Sequence, residues 1–167
     1  AVVEIMTTIY FFHGSLSSPK STKIQRLLPI AESRGFQVEV PDHSSIRSAD
    51  DRVADILSQD NSPVGDCILV GSSMGGYVAT ALSEHLKPSG LFLFAPAFYL
   101  PGYNVQKPIP HADKVSIIHG WHDDIVPVEN SIRFAREHKS TLHIVDGSHA
   151  LRENLDTIAD LFTLFLS

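Results

Sequence analysis

The sequence predicts an α/β protein: a three-layer α/β/α sandwich around a mostly parallel sheet of about six strands. Short runs of apolar or β-branched residues alternate with longer amphipathic stretches along the chain. Nearly continuous apolar runs are typical of strands buried on both faces, and strand–helix alternation favours parallel pairing. The predicted strands are residues 8–12, 37–40, 67–70, 91–94, 115–119 and 141–145.

Amphipathic stretches between and after these strands predict the helices. In the first stretch, Ile24, Leu27 and Ala31 recur at helical spacing. Pro29 lies within it and is expected to kink or shorten the helix. The other helices are predicted at residues 51–57, 75–86, 128–138 and 151–166. Because parallel strands run in one direction, their carboxyl ends share one edge of the sheet, where we expect a ligand site.

Composition and charge argue against several classes of protein. A net charge of −6 without any run of Lys or Arg gives no support to a nucleic-acid or anionic-membrane surface. No apolar stretch is long enough to cross a bilayer, and the first residues show no signal-peptide pattern. The single cysteine, Cys67, can form no internal disulfide, which fits a cytoplasmic protein. The length suits one domain, residues 1–167, with no separate cap domain.

The strongest motif is G-x-S-x-G at residues 71–75, between a predicted strand and a predicted helix. A nucleophilic serine on a sharp strand-to-helix turn needs small residues two positions away on both sides, which selects Ser73 over Ser72. The helix start also supplies a positive dipole end and the Met74 N–H for a developing oxyanion. The alternative is an ordinary glycine-rich turn, which can also bind a phosphate.

A serine hydroxyl needs a base, and the base needs a carboxylate that orients it. His149 follows the last predicted strand through a short turn, so we expect it at the same sheet edge as Ser73. The alternative is a surface histidine, one of nine in the chain. Asp123 and Asp124 both follow the strand at 115–119, and either carboxylate suits the third role.

The histidines around these carboxylates also suggest a metal site. The relevant side chains are those of His119, His122, Asp123 and Asp124. The His-x-x-His spacing is loose, and no further histidine follows at a zinc-hydrolase spacing. We therefore expect no metal, and we expect His119, at the end of a buried strand, to satisfy a backbone group.

A second oxyanion donor is expected in the loop after the first strand. That loop reads His13-Gly14-Ser15-Leu16, in which Gly14 permits a tight turn and the Ser15 N–H is the natural donor. The alternative is a plain glycine turn.

Taken together, these segments resemble the motifs of the α/β-hydrolase superfamily. His13-Gly14 resembles its oxyanion loop, and residues 71–76 resemble its nucleophile elbow in the GxSxGG form. Residues 120–127 are similar to its G-x-x-D-x-x-V-P segment, and residues 147–149 to its final G-x-H. The segments occur in the family's order, and the resemblance implies a minimal α/β-hydrolase fold.

The same resemblance sharpens two assignments. The G-x-x-D-x-x-V-P alignment selects Asp123 over Asp124 as the acid member. The short length and residues 13–19 and 96–97 resemble the small, capless bacterial serine esterases of the YqiA-like group. Ser15 departs from the bulky apolar residue of many relatives, and two amino-terminal strands of larger relatives have no counterpart among the predicted elements.

The motifs and the resemblance predict a serine hydrolase that cleaves a small ester through a Ser73–His149–Asp123 triad and an acyl-enzyme intermediate. Ser15 and Met74 are the expected oxyanion hole. A thioesterase or another hydrolase of this fold would use the same residues, and a non-catalytic binding protein is the alternative from a different class. We expect no cofactor, and a small-molecule ester as the partner.

The candidate substrate-binding residues are Leu16, Phe98, Tyr99 and Trp121. Residues 95–114 form an irregular stretch that is rich in proline and aromatic side chains. We expect this stretch either to cover the site as a small lid or to be pinned to the core by its aromatic side chains.

Overall fold

The computed structural model describes residues 6–59 and 65–167. Within these ranges, six strands pair in parallel to form one sheet. The strands are β1 Thr8–Phe12, β2 Gln37–Glu39, β3 Cys67–Ser72, β4 Gly90–Phe94, β5 Lys114–Gly120 and β6 Thr141–Val145. Their order in the sheet is β2-β1-β3-β4-β5-β6. The predicted fold class is confirmed, whereas the predicted domain, residues 1–167, extends over 1–5 and 60–64, which lie outside the described residues.

The helices lie close to their predicted positions. They are α1 Thr22–Ser33, α2 Ala49–Leu57, α3 Met74–Leu86, α4 Val128–His138 and α5 Leu155–Phe165. The predicted helix at 151–166 divides at its start, where Leu151 has a left-handed backbone and a short 3₁₀ helix, Arg152–Asn154, precedes α5. Within the described part of the chain, no helix is both long and apolar enough to span a bilayer.

Pro29 does not stop α1, because the helix continues for four residues beyond it to Ser33. A proline removes the bond to the carbonyl four residues earlier, here that of Gln25. Both Pro29 and Gln25 are exposed, so the freed carbonyl lies on the water-facing side of α1. The buried side chains Ile24, Leu27 and Ala31 hold the opposite face on the sheet.

The sheet separates two apolar layers. One joins the sheet to α1 and α5, and the other joins it to α2, α3 and α4. In the first layer, the ring of Phe162 packs against Phe92 and Phe11, with ring centroids 5.2 and 6.1 Å apart. Phe162 therefore links α5 to two central strands, and its side chain is completely buried.

This topology places four loops at one edge of the sheet. The segments that follow β1, β3, β5 and β6 begin at residues 13, 73, 121 and 146. Since all strands are parallel, these segments leave the sheet at the same end. The residues singled out by the sequence motifs lie in these four segments.

We expect Phe162→Ala to lower the free energy of unfolding by about 3–5 kcal/mol, since it leaves a cavity between α5 and the sheet. The control is Leu164→Ala on the same helix, whose side chain is 70% exposed. This control should change the stability by less than about 0.5 kcal/mol. Chemical denaturation of the three proteins measures the difference. Equal stability of the two variants would contradict the packing described here.

Candidate active site

The turn between β3 and α3 holds Ser73 in a strained backbone conformation. Its φ is 55° and its ψ is −115°, a region that side-chain-bearing residues rarely occupy. The surrounding backbone fixes this conformation: the Ser73 N–H donates to the Phe94 carbonyl at 2.8 Å, and the Ser73 carbonyl accepts from the Ala97 N–H at 3.0 Å. Strain of this kind persists only where neighbouring structure enforces it, and it is common at functional sites.

The glycines of the motif leave no room for a side chain. A Cβ on Gly71 would collide with the backbone of Gly75 in α3, and a Cβ on Gly75 would collide with the carbonyl of Phe12 in β1. The expectation that larger residues would clash with the neighbouring strand and helix is therefore confirmed. The close approach of β1, β3 and α3 sets the direction in which Ser73 points.

Ser73, His149 and Asp123 form a hydrogen-bonded chain across three of the loops. The Nε2 of His149 lies 3.1 Å from the Ser73 Oγ, and its Nδ1 lies 2.7 Å from the Asp123 Oδ2. The Asp123 side chain is fully buried, whereas 18% of the His149 side chain is exposed. Part of the His149 side chain is therefore accessible from solvent, whereas its carboxylate partner is shielded from water.

The environment of Asp123 favours the ionised form. Burial alone would raise its pKa, but the hydrogen bonds with His149 and with the N–H groups of Val126 and Ile125 outweigh burial, so the pKa lies below its usual value. The two N–H groups donate to Oδ1 at 2.8 and 2.9 Å and leave Oδ2 facing the ring of His149. A carboxylate held in this way favours the tautomer of His149 with a proton on Nδ1.

His119 packs against the same carboxylate and is completely buried. Its Nε2 lies 3.0 Å from the Asp123 Oδ2 and 2.9 Å from the Val126 carbonyl, and its Nδ1 lies 2.7 Å from the Ser131 hydroxyl. Burial lowers the pKa of His119, which favours a neutral ring. His119 thus meets a backbone group, as expected, and also contacts the Asp123 oxygen, Oδ2, that faces His149.

The remaining members of the suggested metal cluster point elsewhere. His122 and Asp146 form an exposed pair at 2.7 Å, and Asp124 is exposed. Among the residues that the structure describes, no three His, Cys, Asp or Glu side chains are arranged to hold a metal ion.

The loop after β1 lies directly against Ser73. A Cβ on Gly14 would lie 3.7 Å from the Cβ of Ser73 and 3.4 Å from the Ser72 carbonyl. Ser15 and Leu16 follow at the surface, where the Leu16 side chain is 95% exposed and its backbone is left-handed. On the other side of Ser73, Met74 begins α3, so its N–H has no partner within the helix.

A buried arginine, which the sequence did not predict, donates hydrogen bonds to the loop after β1. Arg52 in α2 is 2% exposed, and its guanidinium donates to the carbonyls of His13 at 2.9 Å, Gly14 at 3.3 Å and Ile46 at 2.8 Å. Within the described residues, Arg52 forms no ion pair with a carboxylate. Arg52 precedes the buried Ile56 by one helical turn, and this spacing is the sequence signal from which its position on the inner face of α2 could have been predicted.

A cleft of about 330 Å³ opens beside Ser73. It is formed by residues 14–17 of the loop after β1, residues 21–23 at the start of α1, residues 72–73, and residues 149, 150 and 152. Hydroxyl groups dominate this surface, and Leu16 is its only large apolar side chain among the described residues. Of the candidate substrate-binding residues, Leu16 therefore lines the cleft.

The three aromatic candidates lie elsewhere. Phe98 is completely buried, with its ring 4.4 Å from that of Phe134, so it belongs to the core beneath α4. The ring of Tyr99 lies 3.9 Å from the guanidinium of Arg133. Trp121 is 57% exposed and is outside the cleft. The sequence placed these residues near a strand end but carried no information on which way the rings turn.

The irregular stretch after β4 is fastened to helices and does not cover Ser73. The N–H groups of Asn104 and Val105 donate to Asp50 in α2 and to the Tyr77 hydroxyl in α3. Further along, the His111 N–H donates to a serine hydroxyl in α3. We expected this stretch either to cover the site as a small lid or to be pinned to the core, and these contacts match the second expectation.

Comparison with known proteins agrees with this architecture. A model of the uncharacterised protein family UPF0227 matches residues 8–109, more than half of the chain. The chain belongs to the UPF0227 family. The matched part of this UPF0227 protein contains β1 to β4 and Ser73, and it ends before Asp123 and His149. A search of curated proteins finds no match.

Solved structures resemble the UPF0227 chain over nearly its whole length. A protein of Xanthomonas campestris pv. campestris, described as a hydrolase of the α/β superfamily, is 25% identical with a TM-score of 0.85, covering 96% of this chain and 98% of that one. Est1E from Butyrivibrio proteoclasticus is 17% identical with a TM-score of 0.81, covering 98% and 88%. Est1E with bound ferulic acid is 17% identical with a TM-score of 0.74, covering 96% and 88%.

These likenesses confirm the predicted membership of the α/β-hydrolase superfamily and support a hydrolase activity for the UPF0227 chain. The likeness to Est1E shows the fold alone, because the identity is low. The substrate and the roles of individual residues are therefore argued below from the geometry of the site.

We expect Arg52→Met to lower the free energy of unfolding by about 3 kcal/mol, because buried carbonyls of the loop after β1 lose their donor. Arg47→Met is the control, since Arg47 is exposed just before α2 and should contribute less than about 0.5 kcal/mol. Urea denaturation followed by circular dichroism measures both variants. An Arg52→Met variant as stable as the parent protein would show that the guanidinium does not support the loop.

Proposed function

We propose that the chain is a serine hydrolase of the carboxylesterase type, which cleaves a small ester through an acyl-enzyme intermediate. The observation that carries this proposal is the hydrogen-bonded chain from the Ser73 Oγ through His149 to Asp123. A hydroxyl, an imidazole and a buried carboxylate in this sequence are the parts that nucleophilic catalysis by serine requires.

In the first step, the Ser73 Oγ attacks the ester carbonyl carbon, and the new C–O bond forms as the hydroxyl proton passes to the Nε2 of His149. The imidazolium that results keeps its Nδ1–H on the Asp123 Oδ2, which is 2.7 Å away. Because Asp123 is buried and held ionised by its other hydrogen bonds, its charge is available to stabilise the imidazolium.

The negative charge that develops on the carbonyl oxygen is stabilised by two backbone N–H groups, those of Met74 and Ser15. The Met74 N–H is free of helical partners and lies at the positive end of the α3 dipole. The Ser15 N–H follows Gly14, which packs against Ser73, and Arg52 holds the carbonyls of this loop on the opposite side. Donors fixed by folding need no reorganisation during the reaction.

Collapse of the tetrahedral intermediate transfers the proton from His149 to the departing alcohol and leaves the acyl group on Ser73. Water then attacks the acyl carbon while His149 accepts its proton, and the carboxylic acid leaves as the Ser73 hydroxyl is restored. Each cycle therefore consumes one ester and one water and returns the enzyme to its starting protonation state.

The surroundings of Ser73 favour a small substrate. The cleft is open and polar, and the stretch after β4, which is the longest connection between described elements, is tied to α2 and α3. We therefore propose that residues 1–167 form one hydrolase domain without a separate cap. Est1E, a protein of the same fold, binds ferulic acid, and a small carboxylic acid of this kind is what hydrolysis of a small ester releases.

We expect Ser73→Ala to lower kcat/KM for a short p-nitrophenyl ester by at least about 10³-fold. The parent protein should also be labelled by a fluorophosphonate probe, and Ser73→Ala should not. Ser72→Ala is the matched control, since it removes the neighbouring hydroxyl, and it should still be labelled.

The proposal fails if Ser73→Ala, shown by circular dichroism to be folded, hydrolyses the ester at the parent rate. It also fails if the probe labels Ser72 or another residue while Ser73 stays unmodified.

A further inference from the structure

The cleft beside Ser73 carries positive charge in an acidic protein. The chain has a net charge of −6, yet the described residues that line the cleft include Lys23 and Arg152 and no Asp or Glu. A cleft lined by one sign of charge raises the local concentration of ligands of the opposite sign. The charges that line the cleft are therefore opposite in sign to the net charge of the protein.

Lys23 is held in place at the start of α1. Its Nζ donates to the Ala150 carbonyl at 2.9 Å, directly after His149 in the chain, and the side chain is half-buried. An ammonium group has three donor hydrogens, and this carbonyl uses one. Two hydrogens remain for a ligand in the cleft.

Arg152 lies two residues after Ala150, at the start of the short 3₁₀ helix, and adds a second positive charge. Burial, and after it the charge of Arg152, lowers the pKa of Lys23 to about 8, so the two cations are close enough to repel each other. Within the described residues, neither Lys23 nor Arg152 forms an ion pair. Two neighbouring cations without a counter-ion are stabilised when an anion binds between them.

The rest of the lining argues against an apolar acyl group. Ser15, Ser17, Ser21 and Thr22 contribute hydroxyl groups, and Leu16 points almost entirely into solvent. Small-molecule sites for apolar groups are lined mainly by hydrophobic side chains, which this surface lacks.

We propose that the ester cleaved at Ser73 carries a negatively charged group, such as a carboxylate, that binds to Lys23 and Arg152. This inference rests on the proposed function and adds the class of substrate. The anion belongs to either the acyl or the alcohol side of the ester, and the substrates below distinguish the two.

Two pairs of substrates test the proposal and separate these two sources of charge. For the acyl side, mono-p-nitrophenyl adipate is compared with p-nitrophenyl hexanoate, which has the same chain length without the carboxylate. For the alcohol side, the butyrate ester of p-hydroxyphenylacetate is compared with that of p-hydroxyphenylacetamide. We expect the anionic member of at least one pair to have a kcat/KM about tenfold higher or more.

Variants assign that preference to the cleft. Lys23→Met and Arg152→Gln should each reduce the preference severalfold, and Lys23→Arg should retain most of it, because it keeps the charge. Arg26→Gln is the matched control: Arg26 is also in α1, but it pairs with Asp156 at 3.0 Å outside the cleft. Arg26→Gln should show the same preference as the parent protein. In the parent protein the preference should fall as salt is added, because salt screens partly exposed charges.

The proposal is overturned if neither anionic ester is preferred, or if Lys23→Met and Arg152→Gln keep the full preference. Cleavage of the neutral esters and labelling of Ser73 by the fluorophosphonate probe, measured in the same preparations, show whether the hydrolase itself is intact. A parent protein that cleaves the neutral esters and is labelled at Ser73 but shows no preference for either anionic ester contradicts only the anionic substrate, whereas a parent protein that shows neither cleavage nor labelling contradicts the proposed function and this inference with it.

Discussion

The backbone of Ser73 is forced into a left-handed conformation where β3 ends and α3 begins, and the geometry of the site depends on this turn. The turn exists because Gly71 and Gly75 let β1, β3 and α3 approach more closely than any side chain would allow. Backbone hydrogen bonds to Phe94, the last residue of β4, and to Ala97 after it then hold the turn in place. The packing and hydrogen bonds of the folded chain thus stabilise the strained backbone of Ser73, and its hydroxyl faces His149 without any ligand.

Two buried polar groups support the loops on either side of that turn. Asp123 accepts hydrogen bonds from N–H groups of its own loop and contacts both His119 and His149. Arg52 donates hydrogen bonds to the carbonyls of the loop after β1. Burying such groups is costly unless their hydrogen bonds are satisfied, and these are.

The sequence predicted the strands and most helices because their apolar periodicity reflects burial directly. The glycines and the parallel sheet led to Ser73 and His149 as candidates, and the resemblance to the α/β-hydrolase motifs led to Asp123 rather than Asp124; the structure brings these three side chains together. The direction of side chains beyond the strand ends was not predictable: Phe98 turns into the core and Trp121 into solvent. Arg52 was missed because its partners are backbone carbonyls, which every residue type carries. Pro29 is accommodated within α1 because it lies on an exposed face of the helix.

Trapping of the acyl group tests most directly whether the Ser73–His149–Asp123 chain performs nucleophilic catalysis. The protein is mixed with a p-nitrophenyl ester, quenched in acid within the first turnover and measured as an intact chain by mass spectrometry. We expect a mass increase of one acyl group, which peptide mapping places on Ser73. Ester turnover without an adduct, or with the adduct on another residue, would contradict this mechanism.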